Sequence, residues 1–400
     1  MKKELEIQGL GAHTPFIDAA AAIILDRLDN MLAHESGVRD GSDIEELHDM
    51  RVFSRRLREA LKIFKPCYSG KQFKKVYSGV RDVTRALGDV RNLDVFIEYF
   101  TKFKENDEPD PARAAAADAL MGWAESRRKG LRKKMIKDLD EVDTAQLSED
   151  IRAMLSSPRP EEPEALLKRF AAEGLPVART GGPGAGVDNA ELVTLRPGDD
   201  GFAEAAAREL LGRGCIRPRD YKEYRDVARE IETPGNDEEM PLLLGDTVLA
   251  HAARLVPPRL NDVAALWREA QAARETPDID ILHSLRISFK KIRYALESLY
   301  PAFDPERHVT VYRHIKEFQD ILGDMHDADV FYELGCKKMK DAVKKDNYES
   351  AIGYALLAHR LRLRRDELAG VFYQTSDTYS LDTFEQDVRG AFRDAQDAPQ

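Results

Sequence analysis

Residues 47–66, LHDMRVFSRRLREALKIFKP, return as residues 282–301, LHSLRISFKKIRYALESLYP. The two blocks align without a gap at an offset of 235. At the same offset, LGDVRNLDVF at 87–96 falls on LGDMHDADVF at 322–331. One offset across both matches predicts a duplicated unit, so the fold of the first half must also suit the second. A chain of 400 residues fits two or three compact units. Duplication reduces these to two copies and whatever separates them.

No segment alternates apolar and polar residues in the manner of a strand-rich fold. Ala, Leu, Glu, Lys and Arg dominate, and the chain reads as all-α, with two helical bundles. In the first half, residues 14–36 carry Phe16, Ile23, Ile24, Leu28 and Leu32 on a helical period. Ser42, with Glu45 three residues on, reads as a capping box that opens a helix to about Phe64, stopped near Pro66. A third helix is expected over about 71–103. Pro109 and Pro111 break the chain, and helices follow at about 111–139 and 144–155. The second half predicts helices near 242–255, 258–274, 277–299, 308–334 and 347–373. Thr276 is the expected cap of the third of these, with Pro277 at its first position and Pro301 at its end. The last residues, AQDAPQ, are expected to fray.

Residues 156–240 differ in composition. SSPRPEEPE, TGGPGAGVDN, LRPGDDG and ETPGNDEE are rich in Gly, Pro and Asp. They flank two short helical patterns, about 163–173 and 202–212, and ELVTL at 191–195 is a strand candidate. The expectation is a partly mobile insertion or linker. The domain plan is therefore a first bundle over 10–155, an insertion over 156–240 and a second bundle over 241–392.

The formal charge of −11 argues, as an average, against a polyanionic partner. The charge is segregated, however. Residues 47–91 hold 12 Lys and Arg against 4 Asp and Glu, and residues 121–137 hold 7 against 1. A local positive field can attract an anion while net charge keeps the protein soluble. Cys67, Cys215 and Cys336 form no CxxC pair, which suits a reducing compartment. MKKELEIQGL has no apolar core of a signal peptide, and no stretch approaches 18 apolar residues. The expectation is a cytoplasmic chain with no membrane partner.

On a helix that turns about 100° per residue, His48, Arg51, Arg55, Arg58 and Lys62 fall in one stripe. Met50, Leu57, Leu61 and Phe64 fall on the neighbouring apolar face. The second copy places His283, Arg286, Lys290 and Arg293 beside Leu285, Ile292, Leu296 and Leu299. Like charges at these spacings repel, a cost that an anion would relieve. Arginine forks pair bidentately with phosphate or carboxylate, and lysine adds a point charge. A rise of about 1.5 Å per residue spaces the cations roughly 5 Å apart, so a linear phosphate chain can meet several at once. The plain alternative is a solvated face, or arginines paired with acids. Position-by-position repetition of the stripe favours function over that alternative. Arg56 and Lys291 lie off the stripe, and Asp94 and Asp329 are their candidate partners.

HxxRVxxRRLR with LGxxRxxDVF, repeated as HxxRIxxKKIRY with LGxxxDADVF, resembles the CHAD family, the conserved histidine α-helical domain. The resemblance covers about 10–155 and 240–392. It implies two four-helix bundles related by a pseudo-twofold axis, with a basic cleft between them. It also implies binding of inorganic polyphosphate and association with polyphosphate granules. The positions that match are His48, Arg51, Arg55, Arg58, His283, Arg286, Lys290 and Arg293, and Arg81 and Lys316 match a basic position ahead of the LGD motif. Lys62 extends the first stripe. The sequence departs from the pattern in its long insertion, and in Arg91 and Asn92 becoming His326 and Asp327. Some family members carry a triphosphate tunnel domain opening with ExExK; Glu4 to Gln8 give ExExQ, and no tunnel domain is expected.

Other features compete. Asp324, His326, Asp327 and Asp329 form a dense cluster that a metal-dependent phosphohydrolase acting on polyphosphate or nucleotides would use. The first repeat keeps only Asp89 and Asp94 of that set, so helical carboxylates beside arginines are the simpler reading. TGGPGAG at 180–186 lacks the Lys-Ser or Lys-Thr of a P-loop. Arg127, Arg128, Lys129, Arg132, Lys133 and Lys134 suit either an extended anion surface or a solvated face. A nucleic-acid module would want aromatics interleaved with the stripe, and only Tyr77, Tyr294 and Tyr312 lie near. The expectation is a non-catalytic polyphosphate binder with no metal and no cofactor. The oligomeric state stays open, a homo-oligomer included.

Overall fold

The computed structural model describes residues 6–68, 70–106, 110–179, 191–234 and 240–393. They divide into two compact units. The larger lies within Met1–Thr14, Asp18–Ser156 and Thr247–Gln400, and therefore holds both repeats. The smaller is Ser157–Asp246 with Pro15–Ile17.

The first repeat contains α1 (Phe16–Ala33), α2 (Glu35–Asp40), α3 (Ile44–Ile63), α4 (Gly70–Asn106), α5 (Pro111–Val142) and α6 (Thr144–Leu155). The smaller unit contributes α7 (Pro163–Glu173), β1 (Leu175–Arg179), β2 (Glu191–Leu195), α8 (Phe202–Gly212) and α9 (Tyr221–Glu230). The second repeat follows with α10 (Val248–Ala272), α11 (Ile279–Ser298), α12 (Pro305–Val343), α13 (Tyr348–Thr378) and α14 (Leu381–Gly390). The fold is all-α apart from the β1–β2 ribbon, which is antiparallel with Leu175 opposite Leu195.

The duplication holds down to single residues. The offset of 235 carries Ile44 to Ile279 and Ile63 to Ser298, the two ends of α3 and α11. It carries the short 3₁₀ turn Lys65–Cys67 onto Tyr300–Ala302. The helix caps correspond as well. Asp43 accepts from Glu45 N at 2.8 Å, and Asp278 accepts from Asp280 N at 2.9 Å. Asp43 and Asp278 thus hold the cap positions expected of Ser42 and Thr276. A carboxylate there also complements the positive end of the helix dipole.

Each repeat buries the apolar side of its stripe helix. Leu47, Met50, Leu57 and Leu61 are buried on α3, as are Leu282, Leu285, Ile292 and Leu296 on α11. In the second repeat Trp267 packs among Phe289, Phe318, Phe372 and Phe384. Each ring fully withdrawn from water contributes roughly 1.5–3 kcal/mol. The repeats also share a core. Phe96, Phe100, Leu120 and Ala124 of α4 and α5 pack with Phe331, Leu357 and Leu361 of α12 and α13.

Two expected breaks fall elsewhere. Residues 14–36 form two helices, because the chain turns at His34, whose Nδ1 meets Glu46 Oε2 at 2.9 Å. Gly41, at φ 74°, then closes α2 in the left-handed conformation. Conversely, the two helices expected at 242–255 and 258–274 are one, α10, which runs through Pro257 and Pro258. A proline inside a helix costs about 3 kcal/mol. Val256, Leu260, Val263, Ala264 and Trp267 are all buried, so tertiary packing outweighs the local penalty. Arg259 donates its guanidinium to the Leu255 carbonyl in the disturbed turn.

The smaller unit has its own apolar centre of Leu166, Leu167, Phe170, Leu175, Leu195, Phe202, Ala206 and Leu210. Its last residues are tied back by Arg169 to Asp246 at 2.7 Å and by Glu161 accepting from Leu244 N at 2.7 Å. The two short helices and the strand expected within 156–240 are α7, α8 and β2. Pro109, TGGPGAG and AQDAPQ lie outside the described residues.

Candidate anion-binding site

The stripe helices α3 and α11 pack against each other, which brings cations of both repeats together. Arg51 is partly buried, and its Nε has no hydrogen-bond partner among the described residues. Burial, with Arg55 and Arg91 nearby, lowers its guanidinium to about 10. Arg286, the same position in the second repeat, also has an unpartnered buried Nε and is lowered by burial. Lys290 is pushed down to about 7 by burial, then by Arg286, Arg55 and Arg293. Arg55 and Lys290 correspond at the 235 offset, so the cations meet where the two copies face each other. Buried positive charge that is left uncompensated is costly. A phosphate oxygen would remove that cost at several donors together.

The histidines stand at the edge of this cluster. Burial, then Arg91, lowers His48. His283 lies against His326 with ring centroids 4.7 Å apart. His326 is lowered to about 4 by burial, then by Arg286, His283 and Lys290. A neutral imidazole can still donate one hydrogen bond without adding to the repulsion.

Other stripe members are compensated. Arg58 meets Glu59 at 3.2 Å, and Lys62, which is exposed, meets the same carboxylate at 2.9 Å. Arg81 is exposed and bonds Ser78 at 2.9 Å and Asp82 at 3.4 Å. Lys316 is exposed, near Asp320. Arg293 lies 3.5 Å from Glu297, and its guanidinium sits 5.0 Å from the Tyr294 ring centroid. Arg55 therefore links Arg51 of its own repeat to Arg286 and Lys290 of the other, with Arg293 also acting on Lys290 and His48 and His283 at the edge.

Off the stripe, the partners differ from those the sequence suggested. Asp94 accepts from Arg128, and Asp329 meets Arg365 at 2.9 Å. These pairs correspond between repeats, since α5 and α13 align at an offset of 237. Arg56 instead meets Glu297 across the repeats at 3.2 Å. Glu297 is buried and also accepts from the Tyr312 hydroxyl at 2.8 Å. Its counterpart is Lys62, so no symmetry in the sequence pointed to it. Arg91 is the cation that the stripe pattern missed. It lies in the second motif, LGDVR, on α4, and the packing of α4 against α3 brings it to His48 and Arg51.

Arg91 also lines a cavity of about 830 Å³ between α4, α12 and α13. Lys102, Arg360 and Arg364 line it too, as do Glu98, Asp320, Asp324 and Asp327. Burial raises the carboxyls of Asp320, Asp324 and Asp327. Among the described residues, no three His, Cys, Asp or Glu converge as a metal-binding group. In the run at 127–134, Arg128 holds Asp94, Arg132 donates to the Val38 and Arg39 carbonyls, and Lys134 holds Asp138. No described helix is long and apolar enough to cross a membrane.

The geometry defines an internally duplicated, all-α helical protein with cations of both copies drawn together. The CHAD domain pattern matches residues 22–180 and 203–334, and the chain belongs to the CHAD domain family. Among solved structures, the crystal structure of the CHAD domain from the plant Ricinus communis shares its fold. The TM-score is 0.50 at 16% identity, over 99% of this chain and 97% of that one. PptA from Streptomyces chartreusis gives a TM-score of 0.46 at 11% identity, over 91% of this chain and 99% of that one. Comparison with curated proteins gives no match.

Proposed function

We propose that this chain binds inorganic polyphosphate, without cleaving it, on a basic cleft floored by Arg51, Arg55, Arg286 and Lys290. The observation that carries this reading is the pair of buried, unpartnered Nε groups on Arg51 and Arg286, equivalent positions drawn into one cluster. Several cations of fixed spacing suit a ligand with many phosphates in line, and arginine forks suit phosphate oxygens. The CHAD resemblance points the same way.

A nucleic acid would need free aromatic faces. The three candidate tyrosines are engaged otherwise. Tyr77 stacks with Phe73, Tyr312 bonds Glu297, and Tyr294 lies under Arg293. A cytoplasmic protein held at polyphosphate granules follows from this reading. The test is competition between long-chain polyphosphate and single- or double-stranded DNA for the purified protein. Polyphosphate should win at equal phosphate concentration. Equal competition per phosphate would discard the specific ligand.

A further inference from the structure

The two walls of the proposed cleft are not equal, although their cations correspond. Arg51 matches Arg286, and Arg55 matches Lys290. The residue accompanying them is Asn92 in the first repeat and Asp327 in the second. Asn92 is neutral and exposed. Asp327 is partly buried on α12, and the charges around it are Arg286, Asp324 and Lys290, in falling order of influence. For Arg286, in turn, Asp327 is the strongest charged neighbour. The contrast with Asp329, two residues on, is informative. Asp329 is committed to Arg365 at 2.9 Å, whereas Asp327 closes no ion pair within 4.0 Å among the described residues. One turn earlier on the same helix, a Cβ placed on Gly323 would lie 3.9 Å from Arg286 Nε, so this face of α12 turns toward that cation. Asp327 stands on it without being locked to a partner, and it also lines the cavity of about 830 Å³. On the first-repeat side, the acid acting on Arg51 is Asp89, which ranks behind Arg55, Arg91 and Tyr294 in effect.

We propose that Asp327 is a built-in counter-charge, which an arriving polyanion must outcompete for Arg286 and Lys290. The proposal rests on the polyphosphate reading and assigns the walls different tasks. The first-repeat wall, Arg51 and Arg55 with Arg91, attracts phosphate against weaker opposition, since Asp89 ranks last among the neighbours acting on Arg51. The second-repeat wall exchanges its contact with Asp327 for contact with the ligand. A single phosphate gains little from such an exchange. A chain already held on the first wall gains from effective concentration and displaces the carboxylate's influence. Asp327 therefore sets a threshold of length and charge density, selecting contiguous phosphates over isolated ones.

The test uses the full chain, long-chain polyphosphate, tripolyphosphate and orthophosphate as probes, and the reciprocal variants Asp327→Asn and Asn92→Asp. Asp327→Asn should bind long-chain polyphosphate about tenfold more tightly at low salt, the scale of one nearby unscreened charge. The gain for tripolyphosphate should be larger. The slope of log affinity against log salt should steepen by about one ion. Asn92→Asp, which gives the first wall the same counter-charge, should weaken binding about tenfold. Unchanged or weaker binding by Asp327→Asn would overturn the proposal and make Asp327 a positioning residue for Arg286. Should that variant unfold, undiminished binding by Asn92→Asp would overturn it equally. Failure of the unaltered protein to bind any polyphosphate would instead remove the ligand reading itself.

Discussion

Phe96 and Phe331 meet edge to face with ring centroids 4.9 Å apart, and they are the same position in the two repeats. A residue can touch its own copy only near a twofold axis. The contact therefore marks the pseudo-twofold axis of the duplicated unit. In another equivalent pair, Arg55 acts on Lys290. One axis thus relates an aromatic core contact and the centre of the cation cluster. The core that joins the repeats is what obliges their like charges to share a small volume.

Replacing either ring tests the joint. Phe96→Ala or Phe331→Ala should each cost about 3–5 kcal/mol in denaturant unfolding, since both residues are buried and leave a cavity. The double variant should cost less than the sum by about 0.5–1.5 kcal/mol, because the ring pair is lost only once. Strict additivity would mean that the rings do not interact.

The proposed shared cleft predicts one polyphosphate chain per protein. Neutralising Arg51 and Arg55 to Gln, or Arg286 and Lys290 to Gln, should each weaken binding by far more than half, since each wall raises the local concentration for the other. Neutralising both should leave background binding with the helical signal intact. Full affinity at half the stoichiometry in isothermal titration would rule out a common cleft.

Lys290 predicts a pH dependence. Its ammonium is lowered to about 7 in the fold, from about 10.4 in an unfolded chain. Between those values the unfolded state binds more protons, so the contribution of Lys290 to stability rises with pH from about 7 to about 10. Lys290→Met should remove that rise and stabilise the free protein at pH 6 by on the order of 1–2 kcal/mol. Polyphosphate affinity should run the opposite way, falling above about pH 7 as Lys290 loses its charge. Lys290→Arg should flatten the fall. Affinities measured from pH 6 to 9 check both signs.

The non-catalytic reading predicts no phosphate release from polyphosphate with magnesium or manganese present. Asp329 is held by Arg365, and His326 lies against His283. Malachite-green detection of steady turnover, abolished in Asp327→Asn, would replace binding by hydrolysis as the function.

Breaking the cross-repeat ion pair has a directional outcome. Glu297→Ala strips Arg56, Arg293 and the Tyr312 hydroxyl of one buried acceptor and should destabilise by about 3–5 kcal/mol. In the fraction that stays folded, anion affinity should increase, because Arg293 is released from its carboxylate. Thermal melts with and without tripolyphosphate measure both effects.

The sequence by itself determined the helical class, the duplication and the stripe. These depend on local periodicity and on one repeated offset, which survive without knowledge of packing. It also carried the ends of α3 and α11 nearly to the residue, because both repeats stop at the same turn. It misplaced what depends on neighbours distant in the chain. Asp43 and Asp278, rather than Ser42 and Thr276, cap the stripe helices, a choice made by the geometry of the entering backbone. The Pro257–Pro258 pair reads as a break, yet α10 continues, since burial of Val256, Leu260 and Trp267 exceeds the local cost. Only the tertiary structure decided which cations are compensated. Arg58 and Lys62 have Glu59 one turn away or less, whereas the partner of Arg56 arrives from the other repeat. Periodicity places a charge on a face; whether that charge is neutralised depends on side chains brought there by another helix.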